Sequence, residues 1–139
     1  MERLIRDKQI VVAVDYDGTI ARSGKLTNKG IRMIKKIRKY PIVLVLWTCR
    51  DGKALDAALQ EIKQAHLDFD YINNTDGIRN EGRKINADIY IDDKNPGGVQ
   101  WRKAIRRIKR EIRMENNGAR ERQFNKEFNL SEENHYEKN

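Results

Sequence analysis

Gln9-Ile10-Val11-Val12-Ala13-Val14 runs directly into Asp15-Tyr16-Asp17-Gly18-Thr19. The first part is continuously apolar from Ile10 and rich in β-branched residues, the pattern of a strand buried on both faces. Two aspartates follow at its carboxyl end. The same grammar recurs downstream. Ile42 to Trp47 is a second buried strand ending in Thr48-Cys49-Arg50-Asp51-Gly52. Asp70 to Asn73 reads as a short third strand, and Asp88 to Ile91 as a fourth that ends in Asp92-Asp93.

Helical patterns separate these strands. Thr27 is placed to cap a helix over 28–39, with Ile31, Ile34 and Ile37 inward and Tyr40-Pro41 as the stop. A second helix is expected over 52–66, its apolar stripe being Leu55, Ala58, Leu59, Ile62 and Ala65. A last one over 98–114 would bury Trp101, Ile105, Ile108 and Ile112. Strands alternating with helices predict an α/β fold, an open parallel sheet with helices on both faces. Ligands of such sheets bind beyond the carboxyl ends of the strands, at a topological switch point. Asp15 and Asp17, Thr48 and Arg50, Asn73 and Asn74, and Asp92 and Asp93 all fall at those ends, so they can converge on one edge.

Composition narrows the classes. The 139 residues suit one domain with its own core. A single cysteine, Cys49, excludes an internal disulfide framework and a cysteine-rich zinc site. Ile10 to Val14 and Ile42 to Trp47, the longest apolar runs, fall far short of the roughly 20 residues of a membrane span. The polar start after Met1 carries no secretory pattern, which predicts a cytoplasmic setting.

The formal net charge is +8, from 29 Lys and Arg against 21 Asp and Glu. Residues 101–114 carry seven Lys or Arg and one acid, whereas 115–139 carry four Lys or Arg and six Glu. Apolar residues make up 42 of the first hundred and 5 of the last twenty-five. The expected division is therefore a core over 1–114 and a polar tail over 115–139, with at most a short helix around Arg120 to Phe128.

Four aspartates gathered at one sheet edge raise each other's pKa unless a positive group sits among them. A hard cation with oxygen ligands resolves the conflict, and magnesium suits carboxylates, water and a substrate phosphate. For one aspartate, capping a helix or facing water is as good an account. For all four, with a lysine upstream, it is a poor one.

At this point the motifs resemble those of the haloacid dehalogenase superfamily. Asp15-Tyr16-Asp17-Gly18-Thr19 is similar to its first motif and Thr48 to its second. Lys84 stands where the third would be, and Asp92-Asp93 is similar to the paired-acid fourth. The resemblance spans about residues 9–98 and implies a three-layer Rossmann-like core. It implies a phosphatase acting on phosphoric monoesters, with Asp15 as nucleophile and Asp17 as general acid and base. Magnesium would be held by the Asp15 carboxylate, the Asp17 backbone carbonyl and Asp92, with Asp93 direct or through water. Thr48, Lys84 and backbone amides would hold the phosphoryl oxygens, with Gly18, Thr19, Arg50 and Asn73 lining the substrate site. For Arg50 and Asn73, a loop-bracing role is an equal alternative. Cys49 is expected to pack structurally.

Neither the stretch after Thr19 nor that between Asn73 and Lys84 has room for a cap domain. An open, capless site suits a large substrate or closure by a second copy of the chain, and both stand at this point. Gly24 is placed to turn a short flap over Ile20 to Leu26. A small phosphorylated molecule is the favoured substrate; nucleic acid or another polyanion is the alternative through the basic helix. Two other readings compete. A phosphoacceptor receiver domain would need its acid where Asn73 and Asn74 stand. A polyanion-binding module would keep the basic helix and a vestigial core.

Overall fold

The structure, a computed structural model, describes residues 9–75 and 86–137, with side chains through residue 127. Its elements are β1 (Val11–Asp15), β2 (Ala21–Arg22), β3 (Lys25–Leu26), α1 (Asn28–Ile37), β4 (Val43–Trp47), α2 (Gly52–Gln64), β5 (Tyr71–Ile72), β6 (Ile89–Ile91) and α3 (Trp101–Glu137). The main sheet is wholly parallel in the order β5-β4-β1-β6, a Rossmann-like α/β core. From β1 the chain steps outward to β4 and β5, then returns to the other side of β1 as β6. The switch point therefore lies between β1 and β6. The register sets Asp15 beside Trp47 and Val14 beside Ile91, so the carboxyl ends of these strands are level.

Side chains alternate across the sheet. Val12, Val14, Leu44, Leu46, Ile89 and Ile91 share one buried cluster with Ile34 and Ile37 of α1, Ala58 and Ile62 of α2, and Trp101, Ile105 and Ile108 of α3. Val11 and Val45 point the other way and join a smaller cluster with Val43, Trp47, Tyr71 and Ala87. Among the described residues, all three helices bury side chains in the first cluster.

The local signals act as expected. Thr27 Oγ1 accepts the Gly30 N–H at 2.9 Å and opens α1. Ser23 and Gly24, at φ 53° and 81°, form the two-residue turn joining β2 to β3, the conformation that matches strand twist. This small hairpin is all that separates Thr19 from α1, with no cap domain.

The carboxyl-terminal end departs from expectation. Instead of a helix ending near residue 114 and a separate tail, α3 is continuous from Trp101 to Glu137, about 55 Å at 1.5 Å per residue. Asn116-Asn117-Gly118 reads as a breaker on propensity, but tertiary and side-chain contacts override it. Ala119 is buried, and Arg122 passes over the bare Gly118 to reach Glu115 Oε1 at 3.0 Å. Asn116, Asn117 and Arg120 also line a cleft of about 340 Å³ with Tyr40, Pro41, Lys109 and Arg113. Among the described residues, no helix is long and apolar enough to cross a membrane.

Gly30 shows how tightly the flap is seated. A Cβ there would overlap the Ile20 carbonyl oxygen and lie 2.8 Å from the Ile20 Cα. Those are backbone atoms with nowhere to move. Gly→Ala inside a helix ordinarily stabilises by about 1 kcal/mol, whereas forced overpacking costs about 1–3 kcal/mol. Gly30→Ala is therefore expected to lower the melting temperature by several degrees, measured by thermal unfolding with circular dichroism.

Candidate active site

The turn after β1 is built by backbone hydrogen bonds. The Tyr16 carbonyl accepts N–H groups from Thr19, Ile20 and Ala21 at 3.3, 3.1 and 3.0 Å, and the Gly18 N–H donates to the Ala21 carbonyl at 2.9 Å. Gly18 has φ 80°, and a Cβ on it would overlap Asp93 Oδ2. Glycine is needed there on both counts. Thr19 Oγ1 then joins the two sides of the switch point. It donates to Asp15 Oδ2 at 3.3 Å and accepts the Asp93 N–H at 3.1 Å.

The result is a compact acidic group. Asp15, Asp92 and Asp93 each offer a carboxylate oxygen, all within 4.8 Å of one another. Burial, then the negative charge of Asp92 and to a lesser degree Asp93, pushes the Asp15 carboxyl up to about 6. The Thr19 hydroxyl and the Tyr16 backbone act against that rise without cancelling it. Asp92 Oδ1 accepts the Lys94 N–H at 2.9 Å, which fixes the loop after β6. A cavity of about 200 Å³ adjoins Asp15 and Asp92, walled by Trp47 and Tyr90, whose rings meet edge to face at 6.1 Å.

Asp17 faces elsewhere. Its two carboxylate oxygens accept from Arg50 Nε at 2.6 Å and Arg50 Nη2 at 2.7 Å. That bidentate contact holds the Asp17 carboxyl below its ordinary value. The guanidinium also donates to the Ala54 carbonyl at 3.2 Å and lies over the Tyr16 ring, 5.1 Å from its centroid. Arg50 thus binds a protein carboxylate in this arrangement.

Asn73 takes the bracing role. Its Oδ1 accepts the Thr48 N–H at 2.8 Å, from a backbone at φ 57° that asparagine tolerates. The Thr48 hydroxyl, buried at the end of β4, accepts the Arg50 N–H at 3.1 Å. Cys49, in the loop after β4, is exposed rather than packed. Lys84 lies outside the described residues.

The contact that sequence reasoning missed is Arg50 on Asp17. Asp15 and Trp47 share a rung, so residues 17 and 50, of opposite charge, lie just past it, a pairing fixed by the strand order rather than by the sequence pattern. The tie from Thr19 to both Asp15 and Asp93 was also missed, since it depends on β1 and β6 being neighbours.

No protein-family model and no curated protein matches the chain. A solved structure of a conserved protein from Bacteroides thetaiotaomicron is similar, with 29% identity and a TM-score of 0.62, covering 75% of this chain and 93% of that one. The likeness supports the α/β architecture and brings no activity with it.

The charge cluster has a measurable signature. The folded metal-free protein holds the Asp15 proton up to about pH 6, against 3.8 for an ordinary aspartate. The folded state then binds more protons than the unfolded state between those values, so this group's contribution to stability falls as pH rises from about 4 to about 6. Asp15→Asn removes the titration. The melting temperature of the variant relative to wild type should climb across that window and level off above it, as read by scanning calorimetry in chelator.

Proposed function

We propose that the chain is a magnesium-dependent phosphatase that hydrolyses a phosphoric monoester through an aspartyl-phosphate on Asp15, as a capless enzyme like those of the haloacid dehalogenase superfamily. The observation that carries this reading is the meeting of Asp15 with Asp92 and Asp93 at the switch point of the sheet. The donor set fits the cation: hard carboxylate oxygens close enough to share one ion, on a carboxyl raised by burial and by the charge of its neighbours. Asp15, Asp92 and Asp93 would hold magnesium. The Asp17 side chain, turned to Arg50, would not. When bound, the ion would neutralise the cluster and draw charge from the phosphoryl oxygens.

The chain's own residues do the rest. An Asp15 carboxylate oxygen attacks phosphorus as the ester P–O bond breaks, and the Asp17 carboxyl, released from Arg50 and carrying a proton taken from solvent, gives that proton to the departing oxygen, releasing the alcohol. A water then attacks phosphorus while the Asp17 carboxylate takes its proton. The bond from Asp15 to phosphorus breaks, giving inorganic phosphate and restoring both aspartates. The Thr48 hydroxyl and Lys84 would hold phosphoryl oxygens. Gly18 and Thr19 keep the attacking carboxylate close to Asp93.

A polyanion-binding role is the second reading, favoured by the exposed basic side of α3. Arg102, Lys103, Arg106, Arg107, Lys109, Arg110 and Arg113 are all exposed. The cleft that Lys109, Arg113 and Arg120 line abuts Tyr40-Pro41, just ahead of β4 and so at the edge opposite the aspartates. A polymer there would be a partner, not the group undergoing hydrolysis. If about four phosphates of a single strand engage this helix, log K against log salt should fall with a slope near about −3. Arg106→Glu with Arg110→Glu should flatten it in a fluorescence-anisotropy titration.

For the main reading, hydrolysis of a simple phosphate ester should require magnesium and stop with chelator. Asp15→Asn should remove activity by at least about 10³-fold, since an amide cannot form the acyl phosphate. Inorganic phosphate release with and without magnesium, with circular dichroism to confirm folding, checks both. Wild-type turnover in Asp15→Asn would overturn the assignment.

A further inference from the structure

Arg50 occupies both oxygens of the carboxylate that the phosphatase reading needs at the leaving group. The inference below rests on that reading. Two further contacts hold the guanidinium in place, the Ala54 carbonyl at 3.2 Å and the face of the Tyr16 ring, and the flap tip at Gly24 lies nearby. At that tip a Cβ on Gly24 would come 3.5 Å from Nη2, and the Tyr16 hydroxyl donates to the Gly24 carbonyl at 3.2 Å. One side chain thus joins the turn after β1, the loop after β4 and the start of α2.

This arrangement excludes two roles for Asp17 at the same moment. While the fork is closed, both carboxylate oxygens are bound to the guanidinium and the side chain is held in that orientation. A bidentate guanidinium contact yields most readily to another oxyanion that can use the same fork, a phosphate or a carboxylate. Arg50 is open to such an exchange, with its side chain 21% exposed and that of Asp17 51% exposed. A neutral hydroxyl or alkyl leaving group has nothing to offer the fork.

We propose that Arg50 is a specificity-determining residue that keeps Asp17 from the leaving group until a second anionic group of the substrate takes over its guanidinium. The favoured substrates are phosphomonoesters that carry a further phosphate or carboxylate close to the ester oxygen. Ala54 and Tyr16 keep the guanidinium near the site after Asp17 departs, so it remains placed to hold that second anion.

The test compares three esters that share one chain length: 3-hydroxypropyl phosphate, 3-(phosphonooxy)propanoate and 1,3-propanediol bisphosphate. With wild type and magnesium, kcat/KM for the two esters that carry a second anionic group should exceed that for the hydroxyl ester by about tenfold or more, the range that a charge-assisted hydrogen-bond pair supplies. A preference for only one of the two identifies the second anion as phosphate or as carboxylate. Arg50→Gln should bring the ratios to within about twofold, with KM rising for the two esters that carry a second anionic group. Arg50→Lys, which keeps charge but not the fork, should lose most of the discrimination. Equal losses on all three esters in Arg50→Gln would assign Arg50 a bracing role and overturn the proposal.

A second readout needs no turnover. The Arg50 Nε–H resonance, assigned by its loss in Arg50→Lys, should shift with propane-1,3-bisphosphonate and not with propylphosphonate. An unmoved resonance overturns the proposal. Absence of hydrolysis of every ester would instead count against the phosphatase reading.

Discussion

Three carboxylates within 4.8 Å of one another set the terms for the whole carboxyl edge of this sheet. Burial first, and then repulsion from Asp92 and Asp93, raises the Asp15 carboxyl to about 6. The cluster persists because the core holds it. Val12 and Val14 of β1 pack with Ile89 and Ile91 of β6 in one buried cluster, and the parallel pairing sets Val14 beside Ile91. Asp15 and Asp92 then follow one residue later on neighbouring strands. Apolar burial pulls the strands together, and the acids at their ends have no choice but to meet.

Two residues tune that meeting. Without a side chain at Gly18, Asp93 can lie against the turn after β1. The Thr19 hydroxyl uses both of its capacities, giving its hydrogen to Asp15 and accepting the Asp93 N–H. A small polar residue with one donor and free lone pairs suits that bridge. The short sequence from Asp15 to Thr19 therefore supplies a carboxylate, a turn, a gap and a tie.

Much of this was legible in the sequence, for particular reasons. Ile10 to Val14 and Ile42 to Trp47 are apolar without interruption, so their strands are β1 and β4 and their ends mark the site edge. Thr27 before an isoleucine stripe, and Gly24 within a short polar stretch, carry local signals that no tertiary contact overrides. What failed to show were contacts fixed by neighbours in space. Arg50 meets Asp17, and Asn73 meets Thr48, only because β1, β4 and β5 lie side by side in that order. Asn116-Asn117-Gly118 misleads for a similar reason. Its propensity says break, while Ala119 burial and the reach of Arg122 to Glu115 sustain the helix.

The same residue type does opposite work at the two edges of the sheet. Asp70 and Asp88 stand just before β5 and β6, at the amino edge. Asp70 Oδ2 accepts the Leu44 N–H at 2.7 Å, and Asp88 Oδ2 accepts the Val11 N–H at 2.8 Å. Each thereby satisfies a donor of the adjacent strand. Burial pushes the Asp70 carboxyl up, yet the paired hydrogen bonds of Arg38 at 2.6 and 2.8 Å, with the Leu44 N–H, leave it below its ordinary value. Asp15, at the carboxyl edge, has one hydroxyl donor at 3.3 Å and two acids as neighbours, and its carboxyl moves the other way. Strand-end aspartates are structural where the fold supplies donors and cations. They are candidates for chemistry where it supplies more carboxylates instead. By that criterion Asp70 and Asp88 belong to the scaffold, and the demand for a positive charge falls on the ground between Asp15, Asp92 and Asp93.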